Sequence, residues 1–139
     1  MGKTIIQKVS FKNCKTSSLY ELYMNAKLHA LITGGPVKIS KKRGSSFRVF
    51  DGYITGKNLQ LIKDQLIVQS WHGSDWHTNA ADSVFMISFE QRGKDAVINV
   101  VHANVPDKVQ AGLDKGWHDH YWKPWKQYLA GKVITRPKQ

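Results

Sequence analysis

From Phe47 to Val105 the chain runs through short alternating stretches with only turn residues between them. Phe47 to Phe50 leads through Asp51-Gly52, a hairpin signal, into Tyr53 to Ile62. Leu66 to His72 follows the Lys63-Asp64 turn, and Ser83 to Glu90 follows a polar loop from Gly73 to Ala81. Gly93-Lys94 then turns the chain into Ala96 to Val105. A period of two places successive side chains on opposite faces of a strand. Parallel neighbours need crossovers of about a dozen residues or more, and these gaps hold none, so the sheet is antiparallel. Two further alternating runs precede this block: Thr4 to Lys12, with Ile5, Val9 and Phe11 on one face, and Val37 to Lys41, closed by Arg43-Gly44-Ser45. The expectation is a sheet of about six to seven strands.

Two stretches repeat at helical spacing instead. Ser18 with Glu21 three residues on fits a capping box, and Leu19, Leu22, Tyr23, Ala26, Ala30 and Leu31 form one stripe that Gly34-Gly35-Pro36 ends. After Pro106, the residues Val109, Leu113, Trp117, Tyr121, Pro124, Trp125, Tyr128 and Leu129 mark a second, longer stripe. Gly112 and Gly116 weaken its start, so the regular part is predicted from about Lys115 to Ala130, kinked at Pro124 and stopped by Gly131. The fold class is therefore α+β: a curved antiparallel sheet with a long C-terminal helix. At 139 residues the chain reads as one domain, residues 1–131, with a frayed basic tail over 132–139. One helix leaves part of such a sheet uncovered, which predicts an aromatic-lined gap and a candidate ligand cavity. Trp71, Trp117, Tyr121 and Trp125 are its expected walls, with His102 as the one orienting polar contact.

The 21 Lys and Arg outnumber ten Asp and Glu, and the surplus is one-sided. Residues 1–63 hold twelve cations against Glu21 and Asp51, whereas residues 64–139 hold nine against eight. Lys38, Lys41, Lys42, Arg43 and Arg48 concentrate the excess and are the candidate surface for an acidic partner. Nucleic acid is one such partner, but no RNP, helix-turn-helix or zinc pattern accompanies the basic residues. The longest aliphatic or aromatic run is about four residues, Val84 to Ile87, so no membrane insertion is expected. The start lacks the apolar core of a signal peptide, which points to a cytoplasmic protein.

The chemistry-bearing clusters are thin, and no cofactor is implied. His118 and His120 lie on different faces of a helix and cannot share one metal ion. His72, Asp75 and His77 share a loop, but their spacing alone is a weak zinc signal. The single Cys14 excludes an internal disulfide and has no histidine near it in sequence. No Gly-x-Ser-x-Gly elbow or strand-borne carboxylate pair is present, so the chain reads as non-catalytic.

Several motifs in order resemble a known family. Gly44-Ser45-Ser46-Phe47 with Asp51-Gly52 and Gly56 is similar to the Gly-x-x-Phe-x-x-x-Asp-Gly-x-x-x-Gly pattern of the activator of Hsp90 ATPase homologue family. Ile67-Val68-Gln69-Ser70-Trp71 with Asp75-Trp76 resembles its Ile-Val-x-x-Trp…Trp signature, although His72 stands where the family commonly has Arg. Val105-Pro106, Gly116-Trp117 and Tyr121-Trp122 resemble its closing segment, so the likeness runs from about residue 16 to 131. The resemblance implies a helix-grip, START-like fold, in which the curved sheet wraps around the long C-terminal helix. It also implies two roles: binding of a small apolar ligand between sheet and terminal helix, or a co-chaperone-like interaction that modulates an Hsp90-type ATPase.

Overall fold

The computed structural model describes residues 2–77 and 79–136. Strand β1 (Gly2–Phe11) is followed by helices α1 (Thr16–Met24) and α2 (Ala26–Thr33). Strands β2 (Ser46–Val49), β3 (Ile54–Ile62), β4 (Leu66–Gly73), β5 (Ser83–Arg92) and β6 (Asp95–Pro106) come next. The six strands form one sheet in the order β1-β6-β5-β4-β3-β2, antiparallel at every pairing. Irregularities at Lys3/Ile5 and Asn58/Gln60 interrupt the register, and such bulges bend a sheet. The alternation expected for β4 and β5 is present: Ile67, Gln69 and Trp71, then Phe85, Ile87 and Phe89, all point inward.

The stretch expected as a further strand, Val37 to Lys41, makes only a single bridge from Lys38 to Arg48. The N-terminal helix also departs from its expected form. It starts at Thr16, whose amide donates to Gln91 Oε1 at 3.0 Å, so an acceptor from the β5–β6 hairpin replaces the side-chain cap. Ser18 lies inside the first turn, and Glu21 pairs with Lys41 instead of closing a capping box. At Asn25 the backbone is extended (φ −86°, ψ 118°), and the Asn25 side chain caps α2 by accepting from the Leu28 amide at 3.1 Å. This break resets the helical phase. His29, Ile32 and Thr33 turn inward, and Leu31, expected inside, is 46% exposed.

A tight turn at Asp107–Val109 opens the C-terminal helix, which runs as α3 (Gln110–Trp117), a π-helical turn (His118–Trp122) and α4 (Lys123–Leu129). Gly112 and Gly116 do not interrupt it. The kink expected at Pro124 takes the form of the π turn before it, where the Lys123 amide donates to the carbonyl of His118, five residues back. Proline lacks an amide and its ring crowds the carbonyl four residues earlier, and widening the preceding turn relieves both problems. The wider turn also brings Tyr121 and Trp122 inward together, so Trp122 joins Trp117 and Trp125 in the core. Tyr128 and Leu129, expected on the buried stripe, lie partly in solvent.

Gln7 on β1 fastens this helix to the sheet. Its Oε1 accepts from Trp122 Nε1 at 2.6 Å, while its Nε2 donates to the Asp114 carbonyl at 2.8 Å and to Asp114 Oδ1 at 2.7 Å. Beyond Gly131 the chain is tied back rather than frayed. Gln127 exchanges two hydrogen bonds with Thr135, and Arg136 donates to the Leu31 carbonyl. Residues 137–139 of the expected basic tail lie outside the described residues. No helix among the described residues is long and apolar enough to cross a membrane.

Candidate functional site

Between the sheet and α3 the fold leaves a cleft of about 790 Å³. One wall comes from the β2–β3 turn and the neighbouring strands, with Phe50, Tyr53, Ile54 and Trp71. The other is the helix, from Lys108 and Val109 through Leu113 to Trp117, His120 and Tyr121. Gly112 and Gly116 lie one turn apart on the same helix face and line the cleft with bare backbone. A Cβ built at Gly112 meets no atom within 4 Å, and one at Gly116 meets only His120 Cδ2, at 3.7 Å. Glycine inside a helix costs about 1 kcal/mol relative to alanine, so each opens space at the expense of helix stability.

Phe50 reaches the cleft through an unusual turn. Phe50, Asp51 and Gly52 all have left-handed backbones, with φ of 54°, 54° and 89°. A bulky residue in that region is strained by about 1–3 kcal/mol. The Phe50 ring meets His120 edge-on with centroids 5.5 Å apart. Tyr53 stands at the mouth, where its hydroxyl donates to Asp75 Oδ1 at 2.7 Å and burial pushes its pKa up to about 12.

In the cleft wall, Trp117 stacks on Phe85 (4.4 Å, 10°) and on Trp122 (5.5 Å, 11°). Its indole N–H donates to His102 Nδ1 at 3.1 Å. That nitrogen must be an acceptor, so the neutral ring carries its proton on Nε2 and donates to Ser83 Oγ at 2.8 Å. The Ser83 hydroxyl in turn donates to the Trp71 carbonyl at 2.7 Å. Burial lowers the His102 pKa to about 3 and keeps the ring neutral. Both His102 nitrogens are thus engaged within the protein.

Of the five residues expected around the cavity, Trp71, Trp117 and Tyr121 line the cleft. His102 does not, because it lies edge-on behind Trp71 at 4.8 Å as a support for the wall. Trp125 does not either. It is fully buried against Trp122 and Phe11, on the far side of the helical turn. Periodicity marks such residues as inward but does not say how deep they lie. Phe50, Tyr53 and the two glycines escaped the sequence reading. The available signal is the Gly-x-x-x-Gly spacing on a helix, which marks room on one face as well as a weaker helix. His120 is half-buried in the cleft, and burial lowers its pKa against the opposing pull of Asp119.

Lys38, Lys41, Lys42, Arg43 and Arg48 are exposed and lie together along the segment that leads into edge strand β2. Lys41 pairs with Glu21 at 2.6 Å, and the other four make no ion pair among the described residues. The loop trio weighed for zinc is engaged separately: His72 faces Asp82 at 3.1 Å, Asp75 holds Tyr53, and His77 accepts from the Asn79 amide. No group of three metal-binding side chains occurs among the described residues. Cys14 is buried, which raises its thiol pKa.

Residues 13–130 match the family model described as "Activator of Hsp90 ATPase homolog 1-like protein". Activator of 90 kDa heat shock protein ATPase homolog 1 from Homo sapiens is 21% identical over 109 residues, 78% of this chain and 32% of that protein. Its Dictyostelium discoideum counterpart is 25% identical over 116 residues, 83% of this chain and 30% of its own length. The chain thus spans about a third of the length of the curated relatives it matches. Among solved structures, an HSP90 activator from Plasmodium falciparum superposes with a TM-score of 0.84 at 19% identity, covering 95% of this chain and 99% of that one. At that identity the likeness speaks for the helix-grip fold alone.

Proposed function

Since the chain belongs to the Activator of Hsp90 ATPase homolog 1-like protein family, we propose that it is a non-catalytic START-like module that binds a small, largely apolar ligand between sheet and terminal helix. The observation that carries this reading is the cleft itself: about 790 Å³, floored by the Gly112 and Gly116 backbone and walled by Phe50, Trp71, Trp117 and Tyr121. Burying roughly 400 Å² of ligand at about 25 cal/mol per Å² gives on the order of 10 kcal/mol gross. The lost freedom of association takes about 4 kcal/mol or more of this, leaving affinity on the micromolar to millimolar scale. The polar groups of the lining do not suggest a reaction. Tyr53 and Tyr121 commit their protons to Asp75 and His29, and among the described residues no carboxylate, cysteine or serine lines the space.

The test is native mass spectrometry of freshly purified protein, with an organic extract of the same sample examined in parallel. A stoichiometric small molecule, absent from a Gly112→Phe variant, supports the reading. A clean apo mass together with failure to bind any apolar probe overturns it.

A second reading rests on four cations on and beside edge strand β2 that make no ion pair among the described residues, and on relatives named as activators of a heat-shock ATPase. In it, Lys38, Lys42, Arg43 and Arg48 dock an acidic chaperone surface. Docking of that kind weakens steeply with salt and does not need the cleft.

A further inference from the structure

We infer that the ligand of the cleft is an amphipathic monoanion, an apolar body carrying one acidic group, with that group held at the mouth by Lys108. The inference rests on the cleft-binding reading and narrows it to a chemical class. Among the described residues the lining contains one permanently ionic side chain, Lys108, and no carboxylate. Lys108 is exposed, in the short turn between β6 and α3, and makes no ion pair among the described residues. Asp107 adjoins Lys108 in the same turn but makes no ion pair with it among the described residues, while Asp114 accepts from Gln7, Asp119 faces Lys115 at 3.5 Å, and Asp75 accepts from Tyr53.

The ammonium therefore stands where an apolar pocket meets water, without an internal partner. An acid placed there keeps its hydration on one side, so it avoids the desolvation cost of a buried ion. The apolar body meanwhile lies against Trp71 and Trp117. A neutral ligand of the same shape fills the cleft but leaves Lys108 unused, whereas a cationic one is repelled at the entrance.

The test compares naphthylacetate with naphthylacetamide, which share one apolar body and differ in charge, by isothermal titration calorimetry. An ion pair at an exposed position predicts that the acid binds about two- to fivefold tighter at low salt. The advantage shrinks in high salt. Lys108→Gln brings the ratio to one while leaving the amide's affinity in place, and Lys108→Glu makes the acid the weaker ligand. Lys94→Gln, on the β5–β6 turn at the far end of those strands, keeps the wild-type ratio and controls for the overall positive charge. Equal binding of acid and amide to the wild type, or a ratio that Lys108→Gln leaves unchanged, overturns the inference while the cleft reading stands. If neither compound binds, and filling the cleft with Gly112→Phe changes nothing, the cleft reading fails with it.

Discussion

The phenol of Tyr121 donates its proton to His29 Nε2 across 2.9 Å. The direction follows from the other side of the imidazole, where Nδ1 lies 2.7 Å from the Tyr23 carbonyl and must itself be the donor. That carbonyl is one of those freed when the helix breaks at Asn25. A break between α1 and α2 thereby fixes a histidine, and the histidine fixes a side chain of the cleft.

Neutral burial of two histidines sets an acid limit on stability. Burial lowers the His29 pKa to about 4 and the His102 pKa to about 3, from 6.5. Below pH 6.5 the unfolded chain takes up protons that the folded one refuses, so their contribution is complete above 6.5. It is lost progressively as the pH falls toward 4 and 3. Urea midpoints measured at pH 7.5, 6.0 and 5.0 should fall in that order, and the fall should be shallower in His102→Gln. An unchanged slope in that variant would count against a neutral, buried His102.

The glycines of α3 should separate binding from stability. Gly112→Ala is expected to raise stability by about 0.5–1 kcal/mol, since the site is helical and a Cβ there meets open space. Gly112→Phe should keep a urea midpoint near wild type yet weaken an apolar probe by roughly tenfold or more, since a one-decade loss is about 1.4 kcal/mol of contact. Loss of folding in Gly112→Phe would show that the space is not free.

Trp122 should be the most costly aromatic on the C-terminal helix to truncate without entering the cleft. Trp122→Ala removes a buried indole stacked on Trp117 and strands the Gln7 carbonyl, so about 3–5 kcal/mol is expected from chemical denaturation. Tyr128→Ala, near the end of the same helix and partly exposed, should cost well under that.

The basic edge admits a clean test of the second reading. Lys42→Glu with Arg43→Glu should leave thermal stability near wild type, because both residues are exposed and make no ion pair among the described residues. Under the docking reading the pair abolishes any effect on a chaperone ATPase measured at low salt. An ATPase effect that survives the reversal excludes this surface.

Much of the sheet was legible because its pattern is strict. Ile67, Gln69 and Trp71 against Phe85, Ile87 and Phe89 leave few alternatives to two antiparallel strands sharing an inner face. The break at Asn25 was not legible, since its apolar neighbours read equally well as one helix. The capping Asn side chain and the Gln91 acceptor decide the matter through contacts remote from the periodicity. The π turn escaped for a related reason: Pro124 announces a disturbance but not where the helix absorbs it. Read as a regular helix, the stripe leaves Trp122 to one side. The cleft draws on Phe50, Trp71 and Gly112, which no local pattern links. His102 and Trp125 show that an inward position and a lining position are different properties.

The Gln7 bridge bears on the order in which the molecule is assembled. It spans 107 positions to Asp114 and 115 to Trp122, and the strand that carries Gln7 has its sheet partner only in β6. Contacts of such sequence separation make folding slow relative to helical bundles of this size. On a chain being synthesised, β1 waits without its neighbour until β6 has emerged, and Gln7 waits longer still for Trp122. During that interval the alternating face of Ile5, Val9 and Phe11 is uncovered and open to wrong partners, so the late arrival of the final helix is the step that closes the window for misassembly.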